Sequence, residues 1–335
     1  MTTTAPLAPV GAREVATQLG APVAAAPGTA TAAATAAAAQ RGAPASARPA
    51  AAALLVLGSC TSLQAGAALA MRLFPVTGVP GATLLRLGLA ATVLLGLARP
   101  RVRGWRPSQW RAVALYGVSL AGTNGFFYAA LARLPLGTAV TIQFLGPLTL
   151  AAALSKRWRD AGWAGLAVTG VLILGLSDGH GTAGQPLNPA GVAFALVSAA
   201  FWALYIVAGS RLSTAVPGRG GLAAGLAIGA LVLLPFGAHG AWQVAGRPHL
   251  MLLALGTAVL ASVVPYTLEL AALRRAPRRV FGTLLSLEPA VAALAGLVLL
   301  GQRVPAAAAG AIALVIAASA GATISARPPA AATGR

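Results

Sequence analysis

Charge is scarce in this sequence, and acidic charge is scarcest. Only 9% of the 335 residues are charged, and five acidic residues stand against 24 lysines and arginines. A soluble domain usually carries about 25% charged residues. The basic residues lie between apolar stretches and form no continuous face, so the net charge of +19 predicts no nucleic-acid partner. Charge placed in this way is typical of the loops of a membrane protein.

Cysteine is almost absent too, and so are the motifs of most catalytic chemistry. The one cysteine, Cys60, excludes a disulfide within the chain. The three histidines lie far apart in sequence, in or near predicted loops, so no metal site is predicted. No phosphate-binding loop of the form GxxxxGKS/T occurs, so nothing indicates a pump driven by ATP. The sequence therefore predicts no enzyme and no cofactor.

Hydrophobic residues make up 58% of the chain and fall into stretches near 20 residues long. About 20 apolar residues cross the hydrocarbon core of a bilayer as a helix. The pattern predicts an all-α, polytopic protein embedded in a lipid bilayer, with ten transmembrane helices. Their predicted limits are 50–70, 81–98, 112–131, 136–154, 161–177, 189–209, 220–237, 250–271, 280–300 and 305–325.

The lysines and arginines support this number of spans. With the N-terminus placed in the cytoplasm, 19 of the 24 basic residues fall in cytoplasmic segments and four in external loops, while Arg86 lies inside a span. An excess of basic residues in cytoplasmic loops is the general rule. A wrong number of spans would scramble this alternation. We therefore expect a multi-pass protein of the cytoplasmic (inner) membrane with both termini in the cytoplasm.

The chain also repeats itself. Residues 128–135 read YAALARLP and residues 270–277 read LAALRRAP, and each final proline is followed twelve residues later by another, Pro147 or Pro289. The offset is 142 residues in both comparisons (270 minus 128, and 289 minus 147). An offset of five spans makes the two halves enter the membrane in opposite directions. Inverted repeats with a site between them are a recurring design of secondary transporters.

The repeat divides the chain into four parts. Five-helix units are predicted over 50–177 and 178–325. Residues 1–49 are rich in alanine, threonine and proline and lack the leucine-rich core of a signal peptide. Because such a segment cannot bury enough apolar surface to fold, it is predicted to be a disordered cytoplasmic tail. Residues 326–335 are predicted to form a short cytoplasmic tail.

One acidic residue, Glu288, stands in the middle of the ninth predicted span and is followed by Pro289. It is about 12 Å from the cytoplasmic end at 1.5 Å per residue, and a charge at such depth costs roughly 2.5 to 3.5 kcal/mol on insertion scales. Pro289 predicts a helix kink, as does Pro147 in the matching span. Two interpretations stay open: Glu288 binds a proton or an amine on a transport path, or it is a structural partner of Arg86.

Two more charges lie within spans. Arg86 is about a third of the way in from the outside, where it either holds a substrate carboxylate or pairs with Glu288. Glu269 lies near the cytoplasmic end of the eighth span, beside Arg274 and Arg275. A surface ion pair is the favoured interpretation of Glu269, and a place on the substrate or proton pathway is the alternative.

Uncharged polar side chains cluster within five of the spans. In hydrocarbon such groups need partners, so we expect them to face inward. Each one either lines a hydrophilic cavity or joins two helices, and together they favour a cavity. Those assigned to the substrate or proton pathway are Gln64, Asn124, Gln143, Tyr205 and Tyr266.

Three glycines in the seventh span, Gly221, Gly225 and Gly229, recur every four residues and share one helix face. Such a face lets a neighbouring helix approach closely. Packing within the bundle is the favoured interpretation, and the interface of a homodimer is the alternative.

Several longer segments give the sequence a family likeness. They read PYTLELAALRRAPRRVFGTLLSLEPAVAALAGLVLLG over 265–301, SLQAGAALAMRLFP over 62–75, LYGVSLAGTN over 115–124 and PLGTAVTIQFLGPL over 135–148. Together with ten predicted spans in two halves, these segments resemble the drug/metabolite transporter superfamily, in the part built from EamA-type repeats. The likeness extends over about residues 54–325.

The resemblance implies export of small neutral amino acids of the threonine and homoserine kind, or of related metabolites, with protons as the coupling ion. It matches Glu288 and Glu269 to pathway positions. Such exporters usually have a carboxylate where this chain has Gln143, and often Gly-Glu where it has Gly301-Gln302. The second difference is expected to be peripheral. Efflux of drugs or cationic metabolites, import by the same fold, and a non-transporting membrane scaffold remain as alternatives.

Overall fold

The structure, a computed structural model, describes residues 49–100, 102–155, 158–176, 187–216, 220–273, 275 and 278–325. Within these ranges the chain is helical and forms no strand. The two predicted tails lie outside them, apart from Pro49. The helices are α1 Pro49–Ala98, α2 Pro107–Leu131, α3 Leu136–Gln143, α4 Leu145–Leu154, α5 Trp158–Leu176, α6 Pro189–Ala215, α7 Gly220–Trp242, α8 Pro248–Ala258, α9 Val264–Leu273, α10 Arg278–Leu285, α11 Glu288–Leu300 and α12 Ala306–Ser325, with a 3-10 turn over Val102–Gly104 and a π-helical segment over Val259–Val263.

Helix α1 contains the first two predicted spans and reverses direction at Gly78. Gly78 has φ +64° and ψ 172°, a conformation that suits a residue without Cβ. Gly66 lies against Ala261, since an added Cβ would be 2.6 Å from the Ala261 nitrogen, and Arg86 donates to the Ala261 carbonyl. In a straight helix residues 66 and 86 would be about 30 Å apart. Both reach Ala261 because α1 folds back on itself.

The fourth and ninth predicted spans are each interrupted just before a proline. Helix α3 ends at Gln143, four residues before Pro147, and α10 ends at Leu285, four residues before Pro289. A proline has no N–H to donate and its ring clashes with the carbonyl four residues back. The ends of α3 and α10 therefore follow from the two prolines.

The helix boundaries recur with the spacing found in the sequence. Helices α3 and α10 are eight residues long, and both their first and their last residues differ by 142 (278 minus 136, and 285 minus 143). Helix α2 ends at Leu131 and α9 ends at Leu273, which is again a difference of 142. The two halves of the chain thus break their helices at equivalent places.

The glycines that share one face of α7 are covered within the chain. A Cβ on Gly225 would lie 2.5 Å from the Tyr116 ring, and one on Gly229 would lie 3.0 Å from the Gly117 carbonyl oxygen. Gly221 faces Leu212 at the end of α6. Close packing of α7 on α2 and α6, the favoured interpretation, accounts for these glycines, so they offer no surface to a second copy.

Seven helical segments of the described chain are long and apolar enough to cross a membrane. They lie in α1, α3–α4, α6, α7, α8–α9, α10–α11 and α12. Helix α1 counts once although it holds two predicted spans, and α2, at the third predicted span, is less apolar. The chain is an all-helical, multi-pass membrane protein.

The two interrupted helices, α3–α4 and α10–α11, approach each other on only one side of their breaks. Helix α3 packs against α11, and a Cβ on Gly137 would lie 2.8 Å from the Cα of Ala293. Beyond the breaks, α4 packs on α5 and α6, whereas α10 packs on α1 and α12. The helices therefore diverge from the level of Gln143 and Glu288, and the candidate site lies at that level.

Candidate functional site

A cavity lies between the middle parts of α1 and α2, the end of α3 and the start of α11. Five predicted pathway residues line it together with Leu63, Ala67 and Phe127; these five are Gln64, Arg86, Asn124, Gln143 and Glu288. All five are buried, with at most 4% of their surface exposed. The cavity is narrow and has room for about one water molecule. The fold thus gathers polar side chains that are far apart in sequence.

Glu288 is the first residue of α11, so its carboxylate lies at a helix N-terminus, where negative charge is favoured. The Nε2 of Gln64 donates to Glu288 Oε1 at 3.3 Å. Glu288 Oε2 has no hydrogen-bond partner. Arg86 lines the same cavity but does not bond to Glu288 in the described chain, so the pairing left open by the sequence is not the arrangement in this structure.

Arg86 is held by neutral groups. Its Nη1 donates to the Tyr128 hydroxyl at 3.2 Å and its Nη2 donates to the Ala261 carbonyl at 3.0 Å. Its guanidinium also lies 5.4 Å from the centre of the Tyr128 ring, within cation–π range. The Arg86 Nε has no partner. The positive charge is therefore fixed in position without a carboxylate to neutralise it.

The carbonyl that Arg86 uses is made available by Pro265. A residue at position 265 with an N–H would bond the Ala261 carbonyl in an α-helix or the Leu260 carbonyl in a π-helix, and proline can do neither. Arg86 donates to the Ala261 carbonyl, and the Ser62 hydroxyl donates to the Leu260 carbonyl at 2.8 Å. Both carbonyls that Pro265 leaves unpaired are thus satisfied from α1.

Sequence reasoning missed this part of the site. Pro265, Ser62 and Tyr128 position Arg86, yet none of the three is among the predicted pathway residues. The available signal was a proline inside the eighth apolar span, which in hydrocarbon requires donors from a neighbouring helix.

The cavity holds unpaired polar atoms of both kinds. Three of them are acceptors, namely Gln64 Oε1, Asn124 Oδ1 and Glu288 Oε2, and one is a donor, Arg86 Nε. A buried polar atom without a partner costs about 1 to 3 kcal/mol. An ammonium group would satisfy the acceptors, and a carboxylate would accept from the guanidinium. The arrangement therefore suits a small solute that carries both charges.

Gln143 contributes an amide where a carboxylate was expected from the family likeness. Its Nε2 donates to the Ser198 hydroxyl at 2.7 Å, and Ser198 donates to the Thr123 carbonyl at 2.8 Å. This chain of hydrogen bonds joins α3, α6 and α2. Because Gln143 is neutral, Arg86 and Glu288 are the only formal charges among the lining residues of the cavity.

Glu269 is not a surface residue, so its interpretation as half of a surface ion pair is wrong. It is 1% exposed, and the Ser59 hydroxyl donates to its Oε1 at 2.7 Å. Its Oε2 has no hydrogen-bond partner. Arg275 is exposed and donates to the Ala271 carbonyl, while Arg274 lies outside the described residues. Glu269 does not line the cavity.

The two remaining predicted pathway residues are Tyr205 and Tyr266. Tyr205 is buried elsewhere, where its hydroxyl accepts a hydrogen bond from the Tyr116 hydroxyl at 2.9 Å. The side chain of Tyr266 lies outside the described part of the structure.

Gln302 does not line the cavity, and it links the two halves of the chain. Its Oε1 accepts a hydrogen bond from the backbone N–H of Leu136, the first residue of α3, at 2.9 Å. That N–H has no acceptor within its own helix. A Cβ on Gly296 would lie 2.5 Å from the same oxygen. The contact joins α3 to the connection between α11 and α12.

Buried charges and unpaired polar atoms around a cavity between apolar helices are typical of a membrane transport protein. Residues 189–324 match the EamA-like transporter family. The chain belongs to this family, and it is therefore a transporter of a small molecule rather than an enzyme.

Two relatives are similar over most of their length. The threonine/homoserine exporter RhtA of Escherichia coli strain K12 is 39% identical over 277 residues, which cover 82% of this chain and 92% of that protein. The protein of the same name from Salmonella typhimurium strain SL1344 gives the same identity and the same coverage. A solved crystal structure that is 24% identical superposes with a TM-score of 0.51, covers 81% of this chain and 96% of its own, and shares the fold.

Proposed function

We propose that this protein exports small neutral amino acids of the threonine and homoserine kind, or related metabolites, across the cytoplasmic membrane. The observation that carries the proposal is the cavity in which the cation of Arg86 and the acid of Glu288 face each other without forming an ion pair. A neutral amino acid is a zwitterion, so it carries one charge for each of these groups. The name of the relatives RhtA supports the choice of threonine and homoserine.

In the proposed complex the substrate's ammonium lies among Glu288 Oε2, Gln64 Oε1 and Asn124 Oδ1, all of which lack partners. Its carboxylate accepts from the guanidinium of Arg86. The Tyr128 hydroxyl and the Ala261 carbonyl hold that guanidinium in place. Prior positioning of the binding groups lowers the entropy lost on binding.

The proposed topology has ten crossings in two inverted units, 50–177 and 178–325, with both termini in the cytoplasm. It is supported by the helix boundaries that recur at 142 residues, by the fold-back of α1 at Gly78, and by the excess of basic residues in the segments predicted to be cytoplasmic. Contacts also come in equivalent pairs, since α2 packs on α6 as α9 packs on α1.

The proposed transport cycle is alternating access coupled to protons. Because the cavity has room for about one water, the helices around it must separate to admit an amino acid. The breaks before Pro147 and Pro289 allow the half-helices on either side to tilt. A proton and the substrate's amine compete for Glu288, so proton entry on one side releases the substrate on the other.

Counterflow in proteoliposomes tests the binding mode. With unlabelled threonine inside, we expect labelled threonine and homoserine to accumulate. Threoninol lacks the carboxylate and N-acetylthreonine lacks the ammonium, so both should compete at least about tenfold more weakly, a difference of about 1.4 kcal/mol. Equal competition by threoninol would remove the proposed role of Arg86, and absence of flux for any amino acid would refute the proposal.

The role of Glu288 is tested by replacing it with glutamine. Glu288→Gln keeps the size of the side chain but cannot bind an ammonium by charge or exchange a proton, so both counterflow and pH-driven uptake should be lost. Asp160→Asn makes the same chemical change at the start of α5, away from the cavity, and should leave both activities intact. Full pH-driven uptake by Glu288→Gln would exclude Glu288 as the proton site.

Export of drugs or cationic metabolites is the alternative on the same scaffold. A cation would meet Glu288 favourably but would also meet Arg86 in the same cavity. This charge balance favours a zwitterion. A panel of cationic compounds in the counterflow assay separates the two functions.

A further inference from the structure

We propose that Glu269 is a second proton-binding site, separate from the substrate cavity and on its cytoplasmic side. The inference rests on the proposed function, because it concerns the proton that drives the export. In this proposal Glu288 binds the substrate, and Glu269 is a second carboxylate that the coupling proton binds on its path.

Glu269 has the surroundings of a proton site rather than of an ion pair. It is 1% exposed, and its hydrogen-bond donor in the described part of the chain is the neutral Ser59 hydroxyl at 2.7 Å. Its Oε2 has no partner. An ionised carboxylate buried without a cation is strongly disfavoured, and a bound proton removes the charge. The second oxygen is therefore free to carry that proton.

Among the described residues, the groups near Glu269 supply no positive charge. From α1 they are Ser59 and the thiol of Cys60, and across from them is Glu288 at the start of α11. On its own helix, the Pro265 carbonyl accepts from the same Ser59 hydroxyl at 3.4 Å. Arg275, at the end of α9, is exposed and donates to the Ala271 carbonyl instead. Within the described chain, the charged neighbour of Glu269 is thus another acid.

The two acids are arranged along α1. Glu269 bonds to Ser59 and Glu288 bonds to Gln64, and the two α1 residues are five positions apart, or about 7.5 Å along the helix. Ser59 is nearer the start of α1, which the proposed topology places at the cytoplasm. Glu269 does not line the cavity. A proton that leaves Glu288 toward the cytoplasm therefore passes the level of Glu269.

The experiment compares two activities of the full-length protein in proteoliposomes. Exchange of labelled threonine for unlabelled threonine without a pH gradient requires only movement of the loaded transporter. Accumulation driven by a pH gradient also requires the return step with a bound proton. For Glu269→Gln we expect exchange to stay within about twofold of wild type and driven accumulation to fall at least about tenfold. Asp160→Asn is the matched control and should retain both.

Each outcome decides between the two proposals. Loss of driven accumulation with retained exchange supports the second proton site. Retained accumulation by Glu269→Gln overturns it and leaves the proposed function intact, whereas wild-type protein without exchange or accumulation overturns the proposed function itself.

A second variant keeps the test decisive if Glu269→Gln does not fold. Ser59→Ala keeps the acid but removes the Ser59 hydroxyl. That hydroxyl donates to Glu269 and so stabilises the charged form of its carboxylate. We expect the pH of half-maximal driven accumulation to move upward, with little change in the concentration of threonine that half-saturates exchange. The same pH profile as wild type would count against the proposal.

Discussion

Arg86 donates a hydrogen bond to the carbonyl of Ala261, which Pro265 deprives of its usual backbone donor. A cation that lines the cavity, on the returning half of α1, is thus anchored to an irregular segment between α8 and α9. Such π-helical segments are frequent at functional sites. Here the irregularity supplies the acceptor that keeps the guanidinium at the cavity.

Replacing Pro265 should therefore impair transport without unfolding the protein. Pro265→Ala restores an N–H that competes with Arg86 for the Ala261 carbonyl, so we expect transport to fall about tenfold, or about 1.4 kcal/mol. The melting temperature in detergent should stay the same or rise, since a proline within a helix is unfavourable. Pro235→Ala, at an exposed position in α7, is the matched control and should keep wild-type transport. Equal effects of the two variants would contradict the anchoring role.

The close approach of α4 and α6 makes Gly146 intolerant of any side chain. A Cβ there would lie 2.1 Å from the carbonyl oxygen of Ala199, so Gly146→Ala should destabilise the protein by about 1 to 3 kcal/mol. Gly88, also within a helix, has nothing within 4 Å of an added Cβ, and Gly88→Ala should be neutral or slightly stabilising. Thermal unfolding of the purified variants gives the comparison. A stable Gly146→Ala protein would show that the two helices separate easily.

A carboxylate in place of Gln143 should change the preferred charge of the substrate. Gln143→Glu adds a negative charge to a cavity that Arg86 and Glu288 now balance and removes the donor to Ser198. We expect cationic amino acids such as lysine to compete at least several-fold better against threonine, because one charge near another is worth about 1 kcal/mol or more at this distance. Gln143→Met, similar in size and uncharged, should lose affinity without gaining this preference. Competition in the counterflow assay measures both.

The hydrogen bond from Leu136 to Gln302 should contribute to stability at the meeting point of α3 and α11. Gln302→Ala removes the acceptor for the first N–H of α3 and should cost about 1 kcal/mol. Gln302→Glu keeps an acceptor and adds negative charge at a helix N-terminus, so its stability should match or exceed that of wild type. Melting temperatures of the three proteins check the order. A melting temperature unchanged by the alanine variant would mean that water replaces the lost acceptor.

The sequence was sufficient for the positions of the helices and for most of the cavity. Long apolar stretches predict helices at the right places because a spanning helix must satisfy its own backbone. Gln64, Asn124 and Gln143 could be selected because a polar group in hydrocarbon must turn inward. The family likeness added the expectation of an exporter, which the similarity to RhtA supports.

Pairings between distant residues could not be read from the sequence. Hydropathy does not reveal which donors from α1 bond to the carbonyls near Pro265. It also does not show that the Ser59 hydroxyl donates to Glu269. Arg86 and Glu288 were an obvious pair by charge, yet neutral partners hold each of them. The residue type of Tyr205 predicts a place on the pathway, but its hydroxyl accepts a hydrogen bond from that of Tyr116.

The contact between Gly66 and Ala261 makes the residues at positions 66, 86 and 265 depend on one another. Gly66 lets the backbones touch, Pro265 leaves the carbonyl open, and Arg86 occupies it. Loss of any one removes the reason for the other two, so related chains should change them together. Where evolution has replaced this proline, a different residue is expected at the position of the arginine, and with it a different cargo.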